Sequence, residues 1–117
     1  MPDAKPNAWA KRTPREPSDA DRAALQTELV ERARAVREHG WADYRATWTN
    51  GETAGVAYLL EDVELLEELD EREGSVLTRY AGELYGFHGA AKDLKAGLVG
   101  TQAWFAAARK KLGAHGG

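Results

Sequence analysis

The chain has 117 residues, of which 43% are hydrophobic and 30% charged, and its formal net charge is −3. This length and composition are typical of one globular domain, and they exclude a membrane span, which needs ~20 consecutive apolar residues. The absence of cysteine excludes a disulfide framework, a thiolate metal site and a cysteine nucleophile. Alanine, leucine, glutamate and arginine dominate, so helix is favoured over strand after residue 18, and the usage suggests a GC-rich bacterial genome.

Residues 1–17 differ from the remainder, because they hold all four prolines and an excess of positive charge. We predict a flexible basic tail, followed by a single helical domain over residues 18–117. Two interpretations of the tail stay open: an arm that folds onto a partner or a phosphate backbone, and a disordered leader. The tail is too polar for a secretory signal, so a cytoplasmic location is expected. Its cations and its one aromatic residue are Lys5, Lys11, Arg12, Arg15 and Trp9.

The first predicted helix spans residues 19–39. Ser18 supplies an N-cap, and Gly40 is a usual C-terminal stop. Aspartates at 19 and 21 lie in the first turn, where the helix dipole favours anions. Apolar residues at helical spacing predict a single buried stripe, formed by Leu25, Leu29, Ala33 and Val36.

Aromatic residues at helical spacing follow this helix. Trp41, Tyr44 and Trp48 predict a short connecting helix over 41–48 with the three rings on one face. Thr49 and Glu52 then form a capping-box pattern, so a new helix is expected to begin at residue 50. This helix either runs unbroken to about 72 or breaks near 61–62, and both alternatives stay open. Its predicted apolar face comprises Val56, Leu59, Leu60, Val63 and Leu66.

A seam of apolar residues, spaced alternately three and four apart, runs through the C-terminal third. Gly74 and Ser75 are interpreted as a C-cap and an N-cap that precede it. Such a heptad pattern is typical of a helix that packs continuously against partners. Glycines at 86 and 89 interrupt it, and we favour helices over 75–86 and 90–112. A single helix would span about 57 Å and would need a partner chain to cover it. The seam consists of Leu77, Tyr80, Leu84, Phe87, Ala91, Leu94, Leu98, Thr101, Phe105, Ala108 and Leu112.

The sequence lacks a pattern that is typical of catalysis or metal binding. Its three histidines lie far apart, and none belongs to a spacing that places two ligands on one helix face. Both serines are explained as helix caps, and no strand precedes a glycine-rich loop. We therefore predict no enzyme and no cofactor. If the chain were an enzyme, we would expect a pocket around His88, Glu83 and Tyr85.

Charge is polarised along the chain. Residues 61–73 carry eight carboxylates and one arginine, whereas residues 74–117 carry six cations and two carboxylates, a net +4. We interpret the acidic run as a solvated helix face, in preference to a docking surface or a nucleic-acid mimic. The basic end raises a DNA-binding hypothesis, with Gly86 at the turn of a helix-turn-helix over 80–98. That fit is poor, because only Lys92 and Lys95 would lie at the start of the recognition helix.

These patterns together predict an all-α protein, a compact bundle of four or five helices with a flexible proline-rich N-terminal tail. The predicted function is non-catalytic: an interaction or assembly protein that presents helix surfaces to a protein partner or to itself as a homo-oligomer. Its candidate partner-binding residues are Trp9, Trp41, Tyr44, Trp48 and Trp104. The alternative is a small DNA-binding regulatory protein, whose candidate contacts are Arg79, Lys92, Lys95, Arg109, Lys110 and Lys111.

Overall fold

The computed structural model describes residues 16–116, with side chains as far as residue 113, and this part of the chain contains six helices and no strand. The all-α prediction is therefore confirmed. The predicted tail lies outside the described residues, apart from residues 16 and 17. The helices are α1 (Asp19–His39), α2 (Ala42–Arg45), α3 (Asn50–Leu59), α4 (Val63–Glu68), α5 (Glu73–Lys95) and α6 (Val99–Gly116).

Helix α1 begins and ends where its caps predict. The Ser18 hydroxyl accepts a hydrogen bond of 3.1 Å from the Asp21 N–H, and the Asp21 carboxylate accepts one of 2.9 Å from the Ser18 N–H. Gly40 ends the helix with a φ of 82°, in the left-handed region that favours glycine. The predicted stripe is confirmed at three positions, whereas Leu25 is only half-buried. The buried residues of α1 are Gln26, Leu29, Val30, Ala33 and Val36.

Helix α3 lies at the centre of the fold and contacts α1, α2, α4, α5 and α6. It begins at the predicted capping box, in which Thr49 and Glu52 exchange hydrogen bonds of 2.9 and 3.1 Å. Small residues let the neighbouring helices approach closely. At Gly55, an added Cβ would lie 2.0 Å from the Tyr80 hydroxyl, so this position has no room for a side chain. A helix that is apolar on most of its surface is expected to be buried.

The acidic region forms a short separate helix instead of continuing α3. Glu61 has a φ of 60°, which interrupts the helix, and the Asp62 carboxylate then caps α4 by accepting from the Leu65 N–H at 3.1 Å. The alternative with a break near 61–62 is therefore confirmed. Leu66 is buried as predicted, but Val63 is 61% exposed. The prediction for Val63 is wrong, because the break turns this residue away from the core.

Two predicted boundaries are wrong. The helix predicted over 41–48 extends only over Ala42–Arg45. Gly74 and Ser75 are not caps, because α5 already begins at Glu73 with Arg72 as its N-cap. The preceding turn is made by Asp70, whose φ of 56° provides the left-handed conformation for which we expected glycine.

The seam is buried at both ends and exposed in its middle. Its buried residues are Leu77, Tyr80, Leu84, Leu98, Thr101, Phe105, Ala108 and Leu112. Phe87, Ala91 and Leu94 are exposed, so the middle of the seam is not covered within the described residues. The predicted break at Gly86 is confirmed by its φ of 77° and ψ of −179°. A second break, at Gly97 and Leu98, divides the helix predicted over 90–112.

The core centres on Phe105, which is completely buried. Its ring meets those of Tyr58, Tyr80 and Trp104 at centroid distances of 4.8, 5.0 and 5.1 Å. Residues of α3, α5 and α6 form one apolar cluster around this ring, and α1 contributes its buried face to the cluster. Across the described part of the chain, each helix is too short or too polar to cross a bilayer.

Candidate functional site

A kink at Gly86 changes the direction of α5 between its two halves. The φ of 77° is strained for any residue with a side chain, and Pro17 Cδ lies 3.3 Å from the position that a Cβ would occupy. Arg22 fixes the kink by donating from Nη1 to the carbonyl oxygens of Leu84 and Pro17, both at 3.0 Å. The kink therefore brings the segment 87–95 out of line with the buried half of α5.

An apolar stripe lies on the outer face of that segment. Phe87 is 86% exposed and Leu94 is 54% exposed, and Ala91 between them is also exposed. Residues spaced four and three apart lie on one face of a helix, so the three side chains form a continuous row. We call these three residues, Phe87, Ala91 and Leu94, the 87–94 stripe. It is the part of the predicted seam that no other helix of residues 16–116 covers.

The opposite face of the same segment is anchored by Asp93. This side chain is 9% exposed, and its Oδ1 accepts from the Gly100 N–H at 2.9 Å. Its Oδ2 accepts from the Thr101 N–H at 3.0 Å and from the Thr101 hydroxyl at 2.6 Å. Asp93 thus satisfies backbone donors at the start of α6, as an N-cap does, and holds the second half of α5 against that helix. The stripe is therefore presented by a fixed helix.

The surroundings of Asp93 keep it ionised. Burial alone would raise the pKa of its carboxyl group, but the hydrogen bonds from the Thr101 side chain and from the Gly100 and Thr101 N–H groups lower that pKa below its ordinary value. A carboxylate at a helix N-terminus is also favoured by the helix dipole. The anchor is consequently a charged group over the whole neutral range.

Two lysines lie on the same segment as the stripe. Lys92 and Lys95 are exposed, and neither forms an ion pair with the side chains of residues 16–113. His88 is also exposed, and its ring meets that of Phe87 edge to face at 5.4 Å. On a helical projection Lys95 and His88 lie beside the stripe, whereas Lys92 lies farther round the helix and lines a hollow together with Asp93 and Tyr85. The surface therefore combines an apolar row with a positive rim at Lys95.

The aromatic candidates are half-buried against the core and are not part of this stripe. The Trp41 indole N–H donates to the Asp62 carboxylate at 3.0 Å, and that of Trp104 donates to the Arg22 carbonyl at 3.3 Å. Tyr44 and Trp48 stack on each other at 4.8 Å. Each of these rings has a partner within the fold, which accounts for it without a ligand. Trp9 lies outside the described residues.

Both arginines of the DNA-binding alternative form contacts within the fold. Arg109 donates to the carbonyl oxygens of Leu59 at 3.1 Å and Tyr58 at 2.7 Å, at the C-terminal end of α3. Arg79 donates to Glu71 at 2.9 Å. Lys92, Lys95, Lys110 and Lys111 are exposed. The six candidates therefore do not form one common surface in which all are available to a phosphate backbone.

The residues suggested for an enzyme pocket do not converge. Glu83 borders a cleft of about 280 Å³ between α1, α3 and α5, Tyr85 borders a separate hollow, and His88 is exposed. Tyr80, in the wall of the first cleft, is buried, and burial raises its pKa to about 12. Its hydroxyl therefore stays protonated at neutral pH. Among the side chains of residues 16–113, no cluster of three or more His, Cys, Asp or Glu is placed to hold a metal ion.

Comparisons of this chain with protein-family models, with curated proteins and with solved structures found no match. The sequence pattern placed Phe87 and Leu94 in the apolar seam, and it did not single out Asp93. A signal was present in the two glycines at 86 and 89, which flank Phe87 and mark the point where the seam changes direction.

Proposed function

We propose that this protein is a non-catalytic interaction protein that binds a protein partner through the 87–94 stripe. The observation that carries the proposal is the exposure of Phe87 and Leu94 on a helix whose other face is fixed by Asp93. Single exposed apolar residues are common, but a row at helical spacing has the form of the anchors by which helices dock in grooves. Complete burial of each large side chain would contribute about 1.5–3 kcal/mol to association.

The positive rim indicates which kind of partner surface the stripe would bind. Lys95 lies beside the stripe, and neither it nor Lys92 on the same segment forms an ion pair in the described chain, so an acidic partner surface would gain attraction there. Complementary charge mainly accelerates encounter and selects the partner, whereas the apolar row supplies affinity. We therefore expect a partner with an apolar centre and carboxylates at its edge.

DNA binding remains the alternative, and it would use the same lysines. Its support is weaker, because Arg79 and Arg109 already bind groups of the fold. Phosphate contacts release counterions, so affinity for duplex DNA would fall steeply between ~50 and ~200 mM salt. An affinity that does not change over this range would remove the alternative.

Photo-crosslinking from position 87 tests the proposal. Benzoylphenylalanine in place of Phe87 preserves an aromatic side chain at a site that the fold leaves 86% exposed. The matched control carries the same group at Glu38, which is exposed near the end of α1. In cells that express the chain, we expect a protein adduct from position 87 that is absent from position 38. Equal yields from both positions, or no adduct from position 87, would contradict the proposal.

A further inference from the structure

We infer that the partner of the 87–94 stripe is a second copy of this chain, which presents the outer face of α4. The inference rests on the proposed function and identifies its partner. The two surfaces are complementary: one combines apolar side chains with positive charge at Lys95, and the other combines an exposed valine with carboxylates. Among the described residues, none of these charged groups forms an ion pair. Association would be head to tail, with different surfaces of the two copies in contact.

The outer face of α4 has the composition that the stripe requires. Val63 is 61% exposed, and Glu61, Glu64 and Glu67 are exposed around it. None of these three glutamates forms an ion pair within the described residues, whereas Glu68 is bound to Arg45. The inner face of α4 is occupied by two buried leucines, so its outer face cannot turn into the core of its own molecule. The second copy therefore offers carboxylates around an apolar centre.

Charge also argues against symmetric pairing of two stripes. In a twofold contact the same patch meets itself, so two surfaces that carry the same positive charge would be brought together. Like charges brought together across an interface are unfavourable. The stripe against α4 instead brings lysines to glutamates. A head-to-tail contact leaves one stripe and one α4 face free at the two ends, so it extends into rings or longer chains.

Light scattering on purified full-length protein, with two variants and their mixture, tests the inference. The first variant, F87S/L94S, removes the apolar row, and the second, E64K/E67K, reverses charge on α4. All four positions are exposed, so both variants are expected to keep the helical circular dichroism of the wild type. The milder E64Q/E67Q provides a second α4 variant without charge reversal. The matched control, Glu38→Lys, changes charge at an exposed position outside both surfaces.

The expected wild-type mass exceeds that of a monomer and rises with concentration at ~50 mM salt, and it falls toward the monomer at ~1 M salt because screening weakens the contact between lysines and glutamates. F87S/L94S and E64K/E67K should each be monomeric when measured alone. Their equimolar mixture should form a 1:1 complex and stop there, because it has one intact stripe and one intact α4 face. E64Q/E67Q should associate more weakly than the wild type. The Glu38→Lys control should associate as strongly as the wild type.

Other outcomes overturn the inference in distinguishable ways. If E64K/E67K associates like the wild type while F87S/L94S is monomeric, the stripes pair with each other; the proposed function then stands without α4. If the wild type is monomeric but position 87 crosslinks to a different protein, the partner is not a second copy and the proposed function again stands. A monomeric wild type without any crosslink from position 87 overturns both.

Discussion

Replacing Phe105 by alanine is expected to lower the free energy of unfolding by about 3–5 kcal/mol. Phe105 is completely buried, and its ring packs against three other aromatic rings from α3, α5 and α6. Alanine would leave a cavity that these rings cannot fill without leaving their own positions. Since a domain of this size is stabilised by about 5–15 kcal/mol, the loss takes up a large share of the total. Denaturant unfolding followed by circular dichroism measures it.

Phe87→Ala is the matched control, because both phenylalanines belong to the predicted seam and only one is buried. Phe87 is 86% exposed, so its truncation should change the unfolding free energy by no more than about 0.5 kcal/mol. The measurement is made at low protein concentration, where self-association does not contribute. Equal losses for the two variants would show that the seam is packed continuously, in contradiction to the structure.

Asp93→Asn is expected to destabilise the protein by about 2–4 kcal/mol at neutral pH, because hydrogen bonds to a charged group are stronger than neutral ones. Asparagine has nearly the same size, but one of its two polar atoms is a donor. That amide group would face the N–H of Gly100 or the donors of Thr101, which now meet carboxylate oxygens. The substitution therefore removes the negative charge at position 93 with almost no change in side-chain volume. Urea unfolding at pH 7 provides the comparison.

The effect of Asp93→Asn should also depend on pH. The fold lowers the pKa of Asp93, so its ionised form stabilises the native state at pH values above the unfolded pKa of about 3.9. This contribution is lost as the pH falls through the lower pKa of the folded protein. The difference between wild type and variant should therefore be constant from about pH 5 to 8 and shrink below about pH 4. A difference that stays the same at acidic pH would mean that Asp93 is not an ionised anchor.

Helix starts were predictable where a side chain and its target are close in sequence. The capping residues of α1 and α3 lie three positions from the groups they bind, so the pattern itself specifies the contact. Several helix ends were not predictable in this way. Glu61, Asp70 and Leu98 adopt positive φ values at breaks where the sequence has no glycine at that position. The left-handed conformation costs about 1–2 kcal/mol for such residues, so tertiary packing must stabilise it.

The exposed stripe could not be predicted from periodicity. A heptad pattern shows that Phe87, Ala91 and Leu94 share a face with buried seam residues, but it does not show whether another helix covers that face. The answer depends on the direction of the chain after Gly86, which Arg22 fixes from a helix more than sixty residues away. The role of Asp93 could not be predicted either, because an aspartate close to two lysines is typical of a solvated surface. The candidate site is thus a product of long-range contacts.

Thiol labelling tests the central claim most directly, since the chain has no cysteine and each substitution creates a single reactive site. Cysteine would replace Leu84, Phe87, Leu94 or Phe105 in turn. At low concentration, positions 87 and 94 should react nearly as fast as a free thiol, and the two buried positions about a thousandfold more slowly. As concentration rises, labelling at 87 and 94 should slow, because docking covers them. Equal protection of all four positions at every concentration would contradict an exposed, partner-binding stripe.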